Sequence, residues 1–181
     1  ENDLDIPSYK AKYIYKNYFL HFIRLCAMSG IRPNTDIRHK DISYNQKDNL
    51  QIKRSEKSLA TRNPTFKREF IEFHEEFIKF KQKMGLSTKP NDWYFAHPKK
   101  IRNAEIGSRV KSFQRQWRRV VQSHDKLKNK VPYSLRHYYI TQEIYKSTPI
   151  LLIAKQCGTS TLMVERTYFQ ELQEVQSDIF A

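Results

Sequence analysis

The chain has 181 residues, of which 39% are hydrophobic and 13% aromatic, so it is long enough for one domain with a packed core, and intrinsic disorder is excluded. Its 33 lysines and arginines against 19 aspartates and glutamates give a net charge of +14, which points to a polyanionic partner, with nucleic acid as the leading candidate. The longest aliphatic run, residues 150–154, is far below the ~20 residues of a spanning helix, so we expect no membrane partner.

Cysteine content and known motifs narrow the chemistry further. Cys26 and Cys157 both lie in apolar stretches, which favours a reducing, intracellular setting over a disulfide framework or a cysteine-based zinc site. Residues 1–5 are acidic and differ from a signal peptide. The sequence contains neither an acidic cluster with two-metal spacing nor a Gly-rich phosphate-binding loop, so we expect no metal and no cofactor.

The first elements in chain order are a helix and a small sheet. Apolar residues recur at helical spacing over residues 8–30, which predicts a helix with Ser8 as its N-cap and Gly30 at its end. A small antiparallel sheet is predicted next, from residues 41–44, residues 49–53 and a stretch through residues 58–60. Together with the helical periodicity of the remaining chain, this predicts a mainly α-helical domain with a small antiparallel β-sheet.

The second predicted helix covers residues 64–85 and carries an aromatic stripe. Its spacing of three and four residues predicts one buried face, so core packing is the expected role of the stripe, which consists of Phe66, Phe70, Phe73, Phe77 and Phe80. An extended apolar segment is predicted at residues 93–96.

A third helix is predicted to begin near Gly107, with two different faces. Its apolar face comprises Val110, Phe113, Trp117 and Val120. Its basic face, a candidate DNA-binding surface, comprises Lys111, Arg115, Arg118 and Arg119. A merely solvated charged face is the alternative, although residues 109–124 contain no acidic residue. Further helices are predicted to begin at Pro132 and Pro149, and a last amphipathic helix covers residues 169–180.

Four short segments stand out by their residue types and order. They are Ser29-Gly30-Ile31-Arg32-Pro33, Tyr133-Ser134-Leu135-Arg136-His137, Cys157-Gly158-Thr159-Ser160 and Glu165-Arg166-Thr167-Tyr168. Tyr168 lies nine residues after Thr159. Each segment by itself has an ordinary explanation; Thr159 and Ser160, for example, also suit the N-cap of a following helix.

Taken together and in this order, the four segments resemble the catalytic domain of the tyrosine recombinase, or phage integrase, family. The resemblance extends from about residue 8 to residue 175. Tyr133 stands where the family has the first histidine of its His-x-Leu-Arg-His motif, and Thr159 stands where it has the histidine of Leu-Gly-His-Ser. Both replacements keep a hydroxyl donor, as in a subgroup with Tyr-Ser-Leu-Arg-His and Gly-Thr-Ser motifs.

The resemblance implies a role for each matching residue. Tyr168 is the expected nucleophile, which forms a covalent 3′-phosphotyrosyl link and so conserves the bond energy without ATP. Arg32 and Arg136 are expected to hold the nonbridging phosphate oxygens, for which their forked, permanently charged donors are suited. Tyr133 and Thr159 are expected to donate further hydrogen bonds to the phosphate.

The remaining expected roles concern the leaving group and the support of the site. A lysine of the predicted hairpin is the expected general acid for the leaving 5′ oxygen, with Lys57 as first choice and Lys53, a further DNA-binding candidate, as second. His137 is expected to buttress the site from behind the catalytic residues.

The resemblance also predicts organisation and partners. We expect residues 1–181 to be a single catalytic domain, with residues 1–7 as a linker from an N-terminal DNA-clamping domain. The helix at residues 169–181 is expected to pack either on a neighbouring protomer or on its own domain. The expected partners are double-stranded DNA attachment sites, a homotetramer on synapsed DNA and accessory DNA-bending proteins, in the cytoplasm and nucleoid of a bacterial or phage-infected host.

Three functions are consistent with these residues. The first is a site-specific recombinase or integrase that serves a phage or mobile element. The second is a type IB topoisomerase-like relaxase, which needs no paired sites. The third is a noncatalytic DNA-binding regulator, in which Tyr133 and Thr159 mark lost turnover.

Overall fold

The computed structural model describes residues 6–53 and 63–180, and within them the chain is mainly helical. The helices and strands in chain order are α1 (Ser8–Ser29), β1 (Ile42–Tyr44), β2 (Leu50–Ile52), α2 (Arg68–Lys83), α3 (Gln114–Gln122), α4 (Ser134–Tyr145), α5 (Ile150–Cys157), α6 (Thr161–Thr167) and α7 (Phe169–Phe180). Strands β1 and β2 pair antiparallel, with Ser43 opposite Gln51. The predicted class, mainly α with a small antiparallel sheet, is confirmed. In the part of the chain described here, no helix is both long and apolar enough to cross a membrane.

Two hydrophobic clusters hold these elements together. The larger cluster surrounds α1, and the predicted aromatic stripe of α2 contributes to it: Phe70 and Phe77 are buried, as is Phe66 just before the helix. The smaller cluster joins α4, α5, α6 and α7, with Cys157 fully buried at its centre. Since α1 packs against both α2 and α4, the end of α1 lies where the two clusters meet.

Helix α2 begins at Arg68, so the predicted start at Pro64 is wrong. The segment before α2 is extended and pairs with β2. The Ile52 amide donates to the Pro64 carbonyl at 3.0 Å, and the Phe66 amide donates to the Leu50 carbonyl at 2.8 Å. These cross-strand bonds use the backbone groups that a helix would need. The predicted third stretch at residues 58–60 lies outside the described residues.

Helix α3 also begins later than predicted, at Gln114 instead of near Gly107. The Val110 amide donates to the Phe95 carbonyl at 2.9 Å, and Ala96 forms an antiparallel bridge with Arg109. Lys111 therefore lies in an extended segment before the helix and does not share a helix face with the arginines of α3.

The predicted N-cap of α1 needs a smaller correction. Ser8 is the first residue of the helix, Pro7 occupies the cap position, and the helix has no side-chain cap. The Ser8 hydroxyl instead accepts a hydrogen bond from Lys99 at 3.1 Å. At the other end, Gly30 terminates α1 as predicted, with a left-handed backbone.

A buried polar cluster lies inside the larger hydrophobic cluster. The Tyr94 hydroxyl lies 2.8 Å from a ring nitrogen of both His21 and His74. Lys81 is fully buried; its ammonium contacts His39 Nε2 at 2.6 Å and donates to the Tyr94 carbonyl at 3.1 Å. Burial lowers the pKa of Lys81 to about 7 and that of His74 to about 4, because desolvation disfavours their charged forms.

Candidate active site

The end of α1 is packed against α4 and α5 at Gly30. Gly30 has φ +66°, and a Cβ built there would lie 2.4 Å from Tyr139 Cδ1 and 2.7 Å from Cys157 Sγ. Both distances are far inside van der Waals contact, so only glycine fits. The segment that carries Arg32 thus leaves α1 directly beside α4 and the end of α5.

Arg136 joins three of the four sequence segments. Its side chain is only 3% exposed, and its Nη1 donates to the Gly30 carbonyl at 2.7 Å and also to the Cys157 carbonyl. One guanidinium nitrogen therefore bonds to the residue two before Arg32 and to the residue two before Thr159. No other described residue accepts a hydrogen bond from the Arg136 guanidinium, which has further N–H donors to offer an anion.

Arg32 differs from Arg136 in its surroundings. Its side chain is exposed, and it makes no hydrogen bond or ion pair with another described residue. Asp36, the nearest acidic residue along the chain, instead pairs with Arg109 at 3.0 Å. Arg32 is thus a charged, solvated side chain at the rim of the junction that Arg136 occupies.

Tyr168 ends α6 and is buried, with 5% of its surface exposed. Its hydroxyl oxygen lies 2.6 Å from Nδ1 of His137, the residue after Arg136 on α4. Burial raises the pKa of Tyr168 to about 12, and the positive charge of Arg136 opposes that shift. The tyrosine, the histidine and the buried arginine therefore lie together within one protomer.

Tyr133 and Thr159 lie around this group. Tyr133 is 42% exposed, and its ring meets the His137 ring edge-on with centroids 5.2 Å apart. The Arg136 guanidinium carbon lies 6.0 Å from the Tyr133 ring centroid. Thr159 is half-buried, and its amide donates to the Ala154 carbonyl at 3.0 Å. The alternative cap role falls to Ser160 alone, whose hydroxyl accepts from the Met163 amide at 3.1 Å.

Only one of the two candidate lysines, Lys53, belongs to the described residues. Lys57 lies outside the described residues. Lys53 is exposed just after β2, and its amide donates to the Asp41 carbonyl at 2.7 Å. No contact among the described residues joins Lys53 to Arg136 or Tyr168.

Gln156 is a site residue that sequence reasoning missed. Its side-chain amide donates to the Ser29 carbonyl at 3.0 Å and to the Thr65 carbonyl at 2.7 Å, and its Oε1 accepts from the Thr65 amide at 3.1 Å. It therefore ties the strand-like segment after the hairpin to the ends of α1 and α5. Its position one residue before Cys157 in a predicted motif was the only available signal.

A second missed group connects α2 with α4. Lys67 forms an ion pair with Glu143, whose other carboxylate oxygen accepts from the Thr148 hydroxyl at 3.1 Å. The Lys67 ammonium also lies 5.3 Å from the centroid of the Tyr139 ring, which covers Gly30. These contacts support the wall of the junction behind Arg136.

Three of the four basic residues predicted to bind DNA line two adjoining grooves. Arg115 and Arg119 line a groove of about 960 Å³ between α1 and α3, whereas the exposed Arg118 is not among its lining residues. Lys111 lines an adjoining groove of about 670 Å³, which shares His97, Ile101, Val110 and Ser112 with the first. Residues 6–53 and 63–180 contain no group of three or more histidine, cysteine or acidic side chains that could hold a metal ion.

The chain is similar to several solved structures. No family model matches the chain, and no curated protein matches its sequence significantly. The XerH site-specific recombinase bound to its difH substrate in a pre-cleavage complex superposes with a TM-score of 0.66 at 19% identity, over 95% of this chain and 50% of that one.

Two further structures agree with this fold. XerA recombinase has a TM-score of 0.59 at 16% identity, over 91% of this chain and 62% of that one. The Tn1549 transposon integrase, in complex with circular intermediate DNA, has a TM-score of 0.59 at 14% identity, over 92% of this chain and 61% of that one. This chain therefore spans between half and two thirds of these proteins, and it has the fold predicted for it, that of the tyrosine recombinase catalytic domain.

Proposed function

We propose that this chain is the catalytic domain of a site-specific DNA recombinase or integrase, which cleaves and rejoins DNA through a 3′-phosphotyrosyl intermediate. One observation carries the proposal. Arg136 bonds to the carbonyls of Gly30 and Cys157, and the Tyr168 hydroxyl bonds to the next residue of α4. The segments at residues 29–33, 133–137 and 157–168 are thus in contact with one another, which supports a shared role for their arginines, hydroxyl groups and tyrosine.

The two arginines suit a phosphodiester under attack. Negative charge grows on the nonbridging oxygens as the nucleophile approaches, and preorganised cationic donors stabilise it. Arg136 is preorganised by its backbone bonds, while the exposed Arg32 has no described partner to give up. Tyr133 and Thr159 add hydroxyl donors beside them.

Cleavage then exchanges one phosphoester for another. The Tyr168 oxygen forms a bond to phosphorus as the bond to the 5′ oxygen breaks, and the tyrosyl proton leaves to a base. The 5′ oxygen takes a proton from a lysine ammonium, with Lys57 as first choice and Lys53 as second. The reverse sequence rejoins a 5′ hydroxyl to the phosphotyrosyl end without ATP.

The proposal includes DNA partners and an assembly. The charge of +14 and the exposed arginines of α3 suit a DNA backbone, and the superposed XerH and Tn1549 structures are themselves DNA complexes. Strand exchange between attachment sites requires a homotetramer on synapsed duplexes, helped by accessory DNA-bending proteins. The setting would be the bacterial cytoplasm and nucleoid, and the element a phage or other mobile DNA.

Helix α7 contributes apolar side chains to its own domain and also exposes one to solvent. Within one chain, Leu172 and Val175 pack on the smaller hydrophobic cluster, while Phe169 is 59% exposed. Helix α7 can therefore pack on its own domain. Its exchange with a neighbouring protomer is the alternative within this proposal. An upstream DNA-clamping domain, joined through residues 1–7, is part of it as well.

Trapping of the covalent intermediate tests this function. The protein is incubated in EDTA with nicked duplexes from the DNA that flanks its gene, and SDS-resistant adducts are counted. We expect an adduct that disappears in Tyr168→Phe and persists in Tyr138→Phe, an exposed tyrosine on the same helix as His137. Absence of any adduct despite salt-sensitive binding would favour a noncatalytic DNA binder. Relaxation of plasmids without paired sites would favour a type IB topoisomerase-like enzyme.

A further inference from the structure

We propose that His137 is the general base that takes the proton from Tyr168 during cleavage and returns it during rejoining. The inference rests on the proposed function, and it gives His137 a direct part in the chemistry instead of a supporting one. Its basis is the 2.6 Å contact between the Tyr168 hydroxyl and His137 Nδ1.

Tyr168 needs a base, and His137 is in contact with it. The tyrosine is buried, and burial keeps its hydroxyl protonated by raising its pKa to about 12. A phenol with that pKa is a poor nucleophile until its proton leaves. Among the described residues, His137 is the only hydrogen-bond partner of the Tyr168 hydroxyl, at a distance suitable for direct proton transfer.

The other nearby side chains are less suited to the role. Tyr133 occupies the position of the family's histidine, but it makes no hydrogen bond to Tyr168 among the described residues, and it contacts His137 only through its ring. Arg136 carries a permanent charge and accepts no proton. The imidazole of His137 is thus the one side chain among the described residues that puts a nitrogen acceptor in contact with the nucleophile.

The arrangement on α4 favours a coupled reaction. Arg136 and His137 are consecutive, so the group that holds the phosphate and the group that accepts the proton have a fixed separation on one helix. As the Tyr168 oxygen bonds to phosphorus, its proton moves to Nδ1 and the P–O5′ bond breaks. The 5′ oxygen takes its proton from the lysine ammonium already named, so charge and atoms balance.

This assignment requires one tautomer. Nδ1 must be the unprotonated nitrogen and Nε2 must carry the hydrogen, so that Tyr168 donates and His137 accepts. His137 is exposed, and its ring has no second hydrogen-bond partner among the described residues, which lets Nε2 exchange a proton with solvent between reaction cycles.

Two substitutions separate positioning from proton transfer. In His137→Asn, the amide oxygen can accept from Tyr168 near the Nδ1 position but is not a base, whereas His137→Ala lacks both properties. We expect both variants to form the covalent adduct on nicked duplexes roughly 10²- to 10⁴-fold more slowly than wild type. Added imidazole should restore rate to His137→Ala in proportion to its free-base concentration. His124→Gln, which replaces an exposed histidine away from the site, is the matched control.

A second measurement needs no turnover. Nitrogen-15 NMR of the histidine rings should show His137 as the Nε2–H tautomer, with an Nδ1 resonance that moves in Tyr168→Phe. An Nδ1–H tautomer, or wild-type cleavage rates in His137→Asn, would overturn the base assignment while leaving the recombinase function in place. A wild-type protein that forms no adduct would overturn the proposed function itself, and the assignment with it.

Discussion

Replacement of Gly30 by alanine tests how closely the end of α1 packs against α4 and α5. The added Cβ would meet Tyr139 Cδ1 at 2.4 Å and Cys157 Sγ at 2.7 Å, at a residue with φ +66°. The left-handed backbone costs a non-glycine residue about 1–2 kcal/mol, and overpacking of a well-packed core costs typically about 1–3 kcal/mol more. We therefore expect Gly30→Ala to lower the free energy of unfolding by roughly 2–5 kcal/mol.

Gly107 provides the matched control. Its φ is +77°, but a Cβ there would have no atom within 4 Å. Gly107→Ala should therefore lose only the backbone contribution of about 1–2 kcal/mol. Urea unfolding of both variants at one pH measures the difference directly. Equal losses in the two variants would refute the packing argument, because steric contact is what distinguishes the two sites.

The Gly30→Ala substitution should also slow the formation of the covalent adduct. The Gly30 carbonyl accepts a hydrogen bond from Arg136, so displacement of Gly30 removes one of the two backbone contacts that orient this guanidinium. Adduct formation in Gly30→Ala should fall even at temperatures where the variant is fully folded, whereas Gly107→Ala should cleave as wild type does. Undiminished cleavage by folded Gly30→Ala would show that the contact does not orient Arg136.

Three further predictions concern the arginines, the buried lysine and DNA binding. Arg32→Ala and Arg136→Ala should both abolish cleavage, but urea unfolding should show a loss within about 0.5 kcal/mol for the exposed Arg32 and of roughly 3 kcal/mol or more for Arg136, which donates to two carbonyls; equal stabilities would contradict the structure. Burial lowers the pKa of Lys81 from 10.5 to about 7, so between those pH values the unfolded chain binds more protons than the folded chain. The free energy of unfolding should therefore rise with pH in this range, by up to about 1.4 kcal/mol per pH unit. The Lys81→Met variant should lack this slope. An unchanged slope in that variant would exclude Lys81 as its source. Removal of Arg118 and Arg119 together should lower the dependence of log Kd on log salt by roughly 1 to 2, as measured by fluorescence anisotropy on duplex DNA, and an unchanged dependence would mean that neither contacts phosphate.

Much of the fold could be predicted from local sequence, because helices bury one face and repeat apolar residues at fixed spacing. The end of α1 at Gly30 and the aromatic stripe of α2 follow from such local signals. The predicted starts of α2 and α3 failed for a physical reason. Pro64 bonds to Ile52 of β2 and Val110 bonds to Phe95, and no local helical pattern records partners more than ten residues away.

The candidate site, like the fold, has features that the sequence determines and features that only the tertiary structure determines. By itself, the sequence determined the charge of the chain, the order of its four motifs and the residue types available for phosphate chemistry. Only the tertiary structure decided that Arg136 is buried between two carbonyls, that Tyr168 bonds to His137, and that Gln156 ties the hairpin side of the domain to the junction. Distances between side chains depend on how helices pack, and packing is a property of the whole chain and not of any one segment.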